Sequence, residues 1–256
     1  MRKLMKGKEY KILNFILPVV VVFALVILWW RAAKTIDNQY ILPSVKSTVE
    51  EFFALFKSRD FYRAFSNTLF RSLVAFTVSF VIAFALAVAT LKVRYVKSAV
   101  SPLISIMRAL PTIAIVLLLL FWTNSKIAPV IVTALVVLPT SYTQIDGAFS
   151  SLDKMVVEAG RVDGANEFQV FLKIELPMIM PMVFSCIGSG ISLNFKLMVA
   201  AEVISQTAYS LGYMLNTSKI YFETATMLAL VLATVVFGVL IETLFNKLSS
   251  KSGEWK

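Results

Sequence analysis

The chain has 256 residues, of which 58% are hydrophobic, with a mean hydropathy of +0.79 and a formal net charge of +10. That apolar share is well above a soluble domain's and reads as one polytopic membrane domain, while basic residues set in short runs beside apolar stretches encode membrane orientation and argue against nucleic acid as a partner. Histidine is absent, which removes the commonest metal ligand and the usual physiological acid–base and counts against hydrolytic and metal-dependent enzymes.

Residues 1–11 form a basic amino-terminal segment with Arg2, Lys3, Lys6, Lys8 and Lys11 against Glu9. An apolar run over 12–30 follows and ends in Trp29, Trp30 and Arg31. An aromatic pair with a basic anchor marks a membrane interface, so this run reads as a retained first span and not as a cleaved signal. The connector 31–67 carries an amphipathic helix, with Ser44 as its cap and Val45, Val49, Phe52, Phe53 and Phe56 on one stripe. It is expected to lie on the outer membrane surface.

Residues 68–246 read as the core. Its second span runs from about Thr68 to Leu91, with Arg71 near the outer end, and is followed by the basic loop Lys92, Arg94, Lys97. The third runs from Pro102 to Trp122 through Arg108 and Pro111, and the fourth from Ile127 to Tyr142. A fifth span is expected over Met182–Ser205, a connector over 206–222, a sixth span over Glu223–Phe245, and a tail over 247–256 with Lys247, Lys251 and Lys256. Six spans place both termini inside. More Lys and Arg then fall inside than outside, although the long first outer connector holds most of the outer ones. The single cysteine, Cys186, lies in an apolar run, so no intrachain disulfide forms.

Between the fourth and fifth spans lies a polar island, 150–178, that reads as two short helices around a turn. Ser150 is the expected cap of the first, and Leu152, Met155, Val156 and Ala159 follow at helical spacing until Gly160 and Gly164 open the turn. Asn166 with Gln169 forms a capping-box pattern for the second, whose Phe168, Phe171 and Leu172 share a face and which Pro177 is expected to close.

Glu158-Ala159-Gly160, then Gly164-Ala165, Phe168, Ile174, Leu176-Pro177 and Pro181 resemble the EAA signature of permease subunits of ATP-binding-cassette importers. The departure is Gly160, where that signature has its second alanine. The resemblance implies an all-α, six-span permease of the type I importer fold with both termini in the cytoplasm of a bacterial cell. Glu158, Ala159, Gly160, Gly164, Ala165 and Phe168 would then couple to an ATPase subunit. It further implies two ATPase copies, which carry the ATP and Mg, an extracytoplasmic substrate-binding protein, and a homodimer of this chain in the cytoplasmic membrane; the chain itself would bind no cofactor. Leu42-Pro43-Ser44, Arg108-Ala109-Leu110-Pro111 with Ala114, Ala201-Glu202, Leu211-Gly212-Tyr213 and Ile241-Glu242 are similar to permeases for nitrate, sulfonates, taurine and riboflavin-type or pyrimidine vitamin precursors. That subgroup has a proline where this chain has Val116 and Leu117, and a glycine where Thr123 follows Phe121-Trp122.

Lys196 is the deepest charge in a span, and an intramembrane lysine is a functional candidate by default. Lys196, Glu202 and Arg108 are the candidate substrate-pathway residues. Gly188-Ser189-Gly190 follows no strand and precedes no Gly-Lys-Ser, so it reads as close helix packing and not as a phosphate loop. The alternative, a secondary transporter without an ATPase, calls for mid-span carboxylates and inverted repeats, and neither is visible.

Overall fold

The computed structural model describes residues 7–252; Arg2, Lys3 and Lys6 of the basic segment and Lys256 of the tail lie outside the described residues. The described residues form eleven α-helices and no strand. Five helices are long and apolar enough to cross a membrane, or six if one bent pair counts as a span, so the all-α, multi-span class is as expected. The helices divide into two compact units, one holding α1, α2 and Thr217–Leu232, the other Arg59–Asn216 and the chain from Ala233 onward.

In the first unit, α1 (Gly7–Ile36) is longer than the expected first span at both ends and continues through Pro18. From Val19 to Val22 its side chains are all exposed, as a span bathed in lipid requires. Trp29 Nε1 donates to Pro43 O at 3.1 Å, which ties the outer end of α1 to the start of α2 (Val45–Leu55). Ser44 caps α2 as expected, accepting the Ser47 N–H at 3.1 Å. Thr48 and Leu55 are buried, while Val49, Phe53 and Phe56 face outward, an apolar face suited to a membrane surface.

The second unit is organised around α3 (Arg59–Lys92), against which α6 (Ala128–Ser150) and α9 (Leu176–Ser205) pack. Ser72, Ala75, Ser79, Ala83 and Ala87 recur at helical spacing along α3 and are buried; their small size lets neighbouring backbones approach. Ser79 Oγ accordingly donates to Ala134 O of α6 at 2.9 Å. Gly190 serves the same end on α9: a Cβ there would stand 2.5 Å from the Phe76 ring. Tyr142, Ile145, Phe149, Ile179 and Val183 fill the core between these helices.

Three expectations need correction. The third span is not one straight helix: α4 (Arg94–Ala109) and α5 (Thr112–Trp122) meet at 93°. Pro111 is the cause, because its ring pushes Leu110 out of the helical region, to ψ 125°. The fourth span runs past Tyr142 to Ser150, so polar Thr143, Gln144 and Asp146 belong to helix α6. The connector 206–222 contains a helix of its own, α10 (Leu211–Ile220), before α11 (Thr224–Ser252). Val116 is fully buried with Val132 and Ala201, so its substitution for a family proline falls in the packing of α5 and not on an open surface.

Candidate coupling segment and pathway residues

Helices α7 (Lys154–Val162) and α8 (Glu167–Val170) form the polar island. Ser150 does not cap α7; it ends α6, and Asp153 caps α7 by accepting the Met155 N–H at 2.8 Å. The turn is made by Gly164 alone, at φ +83°, a conformation that a side chain resists. Gly164 N–H bonds Arg161 O and Ala165 N–H bonds Gly160 O, both at 3.1 Å, the paired closure that a glycine just past a helix end makes possible. Gly160 lies inside α7, not in the turn. A Cβ on it would collide with Ile174 Cδ1, so glycine here lets α7 sit tightly on the chain leading into α9.

The capping box at Asn166 forms as expected: Gln169 N–H donates to Asn166 Oδ1 at 2.8 Å and Asn166 N–H to Gln169 Oε1 at 3.1 Å. Pro177, in contrast, does not close the second helix. Phe171–Glu175 wind as one π-helical turn, and Leu176 N–H reaches back five residues to Phe171 O. The wider turn takes up the missing N–H and the ring of Pro177, and the helix continues to Ser205.

Charge and aromatic contacts seat this element. Glu167 receives Arg161 through two bonds, at 2.8 and 3.2 Å, and Lys92 Nζ lies 3.5 Å from Glu167 and 3.3 Å from the buried Glu175. The hydrogen bond between Arg161 and Glu167 raises the Arg161 pKa and lowers that of Glu167 from their ordinary values. Lys92 also sits 5.5 Å over the Phe171 ring. From Phe171 a ladder of rings runs through Phe149, Phe84 and Phe80 to Phe76, with centroid separations of 6.3, 6.5, 6.2 and 5.5 Å. The segment is thus mounted on the core through continuous ring contacts.

Its outward surface is mixed. Glu158 and Ala159 are exposed on α7, Ala165 is half-buried, and Phe168 on α8 is 69% exposed. Met155 and Val162 stand out further, at 74% and 87%, and were not among the sequence candidates. Met155 could have been found: it lies on the apolar face of α7 but points away from the buried Val157.

The three candidate pathway residues do not come together. Arg108, at the end of α4, donates to Thr143 Oγ1 and, at 3.5 Å, to Pro139 O of α6. Lys196 is exposed on α9, its stem lying over Gly238 of α11 with Cε 3.0 Å from where a Cβ there would stand. Glu202 is fully buried and engaged: Arg71 Nη1 donates to one carboxylate oxygen at 2.6 Å and Thr68 Oγ1 to the other at 2.8 Å. Thr68 Oγ1 in turn accepts the Leu211 N–H at 3.0 Å, and Gly212 packs so close that a Cβ would fall 2.5 Å from Glu202 Cβ. Arg71, near the outer end of its span, is the counter-ion of Glu202.

Residues 79–252 match the family described as "Binding-protein-dependent transport system inner membrane component". The chain is 26% identical over 238 residues to the riboflavin transport system permease protein RibX of Chloroflexus aurantiacus, covering 89% of this chain and 88% of that one. It is 23% identical to the putative aliphatic sulfonates transport permease protein SsuC of Escherichia coli, covering 88% and 83%. Among solved structures, the inward-facing MetNI methionine ABC transporter superposes with a TM-score of 0.67 at 17% identity, over 75% of this chain and 95% of that one. A bacterial alginate ABC transporter gives 0.67 at 14%, over 96% of each chain. The all-α multi-span fold is therefore that of the ABC importer permeases, and the chain belongs to the family of binding-protein-dependent transport system inner membrane components.

Proposed function

We propose that this chain is the permease subunit of an ATP-driven importer, working as a homodimer that two ATPase subunits and an external substrate-binding protein complete. The observation that carries the reading is the segment from Asp153 to Glu175: a capped helix pair seated on the core by Lys92 and the ring ladder, with Met155, Val162 and Phe168 exposed. Exposed apolar side chains on a stiff cytoplasmic element suit a groove on another protein. Glu158, Ala159, Gly160, Gly164, Ala165 and Phe168 are its coupling residues, and ATP and Mg belong to the partner. Nucleotide-driven closure of the ATPases would move the two segments as rigid bodies and reorient α9, which leads directly out of each.

The solute is small. Relatives named for riboflavin, aliphatic sulfonates and taurine support a cargo of the sulfonate, nitrate, taurine or riboflavin-type and pyrimidine vitamin-precursor kind. Arg108 and Lys196 remain pathway candidates, whereas the buried, fully bonded Glu202 is assigned to holding the 206–212 connector. Copurification tests the coupling assignment. An ATPase subunit stays bound to the unaltered chain and is lost on Glu158→Arg or Phe168→Asp. Retention of the ATPase with undiminished ATP-driven uptake in both variants would overturn it.

A further inference from the structure

We propose that the open side of α9, with the adjoining faces of α4 and α6, is a water-filled surface that selects small anionic solutes. The inference rests on the permease reading and names the chemistry of its cargo. Ser185, Ser189 and Lys196 recur at helical spacing on one side of α9, with Ser185 and Lys196 exposed and Ser189 half-buried. Ser189 Oγ donates to Gln144 Oε1 of α6 at 3.4 Å, and Gln144 and its neighbour Thr143 are both exposed. Arg108 of α4 reaches that same Thr143. Three helices therefore bring hydroxyls, an amide and a guanidinium to adjoining surfaces.

Most of the exposed mid-span residues of α3 and α11 have the opposite character. On α3 they are Val74, Val78, Val81 and Ile82; on α11 they are Val235, Val236, Val239 and Leu240. Even α4 divides this way, with Leu103 and Ile106 exposed on a face apart from Arg108. Valine and leucine are suited to hydrocarbon, whereas Ser189, Gln144 and Lys196 on a spanning helix need water or a polar solute. The charge on this surface is positive. Asp146 is neutralised by Lys97 at 2.9 Å, and Glu242 of α11, half-buried, is a single acid against the two cations Arg108 and Lys196. A small carboxylate, sulfonate or phosphate moving along this surface meets donors in turn from Arg108, the Gln144 amide, Ser185 and Lys196, while a cation meets repulsion.

Thiol labelling in membrane vesicles holding the assembled transporter tests this, because the native Cys186 is 4% exposed and gives a silent background. Cysteines are placed one at a time at Ser189, Gln144 and, as the lipid-facing control, Leu103. The probes are a sulfonate-bearing methanethiosulfonate and its trimethylammonium counterpart. Ser189→Cys and Gln144→Cys should react while Leu103→Cys stays unlabelled. Relative to a free thiol, the anionic probe should be favoured by about threefold, and this preference should fall when Lys196→Met or Arg108→Gln is added. Labelling of Ser189→Cys and Gln144→Cys no faster than of Leu103→Cys would overturn the water-filled surface. Labelling that favours the cationic probe, or a preference indifferent to both charge removals, would overturn the anion selectivity. Labelling does not depend on which residues grip the ATPase, so it fails or succeeds independently of the copurification test.

Discussion

The two ends of α9 are fastened by opposite means. At its start, Lys92 is shared between Glu167 and Glu175 with a third of its side chain exposed, and Arg161 and Glu167 pair in the open. At its end, Glu202 is fully enclosed and bonded through both carboxylate oxygens, to Arg71 and to Thr68. Exposed ion pairs contribute little and yield readily, whereas a buried pair is costly to break because the survivor keeps its charge without a partner. The difference suits one helix to two tasks: an adjustable mounting where force is received, and a fixed seat where the outer connector is held.

The comparison is broken most directly by Arg71→Met. It strands a buried carboxylate, and about 3–5 kcal/mol of stability should be lost, read as a drop in thermal unfolding temperature in detergent. Adding Glu202→Gln should restore much of it, and an unchanged unfolding temperature in the single variant would remove the contrast. Gly212→Ala comes next. The added Cβ meets Glu202 Cβ and Val203 N, both at 2.5 Å, and backbone cannot step aside, so a cost of about 1–3 kcal/mol is expected in the same assay. Lys92→Met at the opposite end also leaves a buried carboxylate, Glu175, without its partner. Lys92 is a third exposed, so the cost should be smaller than for Arg71→Met, about 1–2 kcal/mol, and does not by itself mark this end. Its distinctive effect should appear as weaker solute-dependent ATP turnover in the reconstituted complex, a readout that neither outer-end variant isolates.

Features set by neighbours in the chain were legible before the fold was known. Ser44 before α2 and the Asn166–Gln169 pair before α8 are local hydrogen-bond patterns, and both form as expected. Where two residues competed for one role, the local pattern was insufficient: Ser150 and Asp153 are both good caps, and the choice depended on α6 continuing past Tyr142 with a polar last stretch. Prolines were legible as interruptions but not in degree. Pro111 turns the chain through a right angle, Pro139 sits inside an unbroken α6, and Pro177 is absorbed by a single wide turn, according to what each carbonyl can find nearby. Least legible was the site around Glu202, because Arg71 is 131 residues away in sequence and only packing brings the two together. Hydropathy likewise treats Ser189 and Gln144 as mild interruptions, and only exposure shows that they adjoin.

The π turn at Phe171–Glu175 carries a further implication, concerning direction and not strength. A turn with one residue more than an α-helix needs is, in effect, a one-residue insertion that the helix has retained. In a turn closed over five residues, each residue turns the chain less than the about 100° of an α-helix, so the five together rotate it about as far as four would. The surplus residue is absorbed where it stands, and α7 and α8 keep nearly the heading that an unbroken helix would give them. Removing one position between Phe171 and Glu175 should therefore leave Phe168 pointing much as it does now, while the Pro177 ring again meets the carbonyl of the turn before it: the extra residue accommodates the proline and leaves the direction of the docking face unchanged.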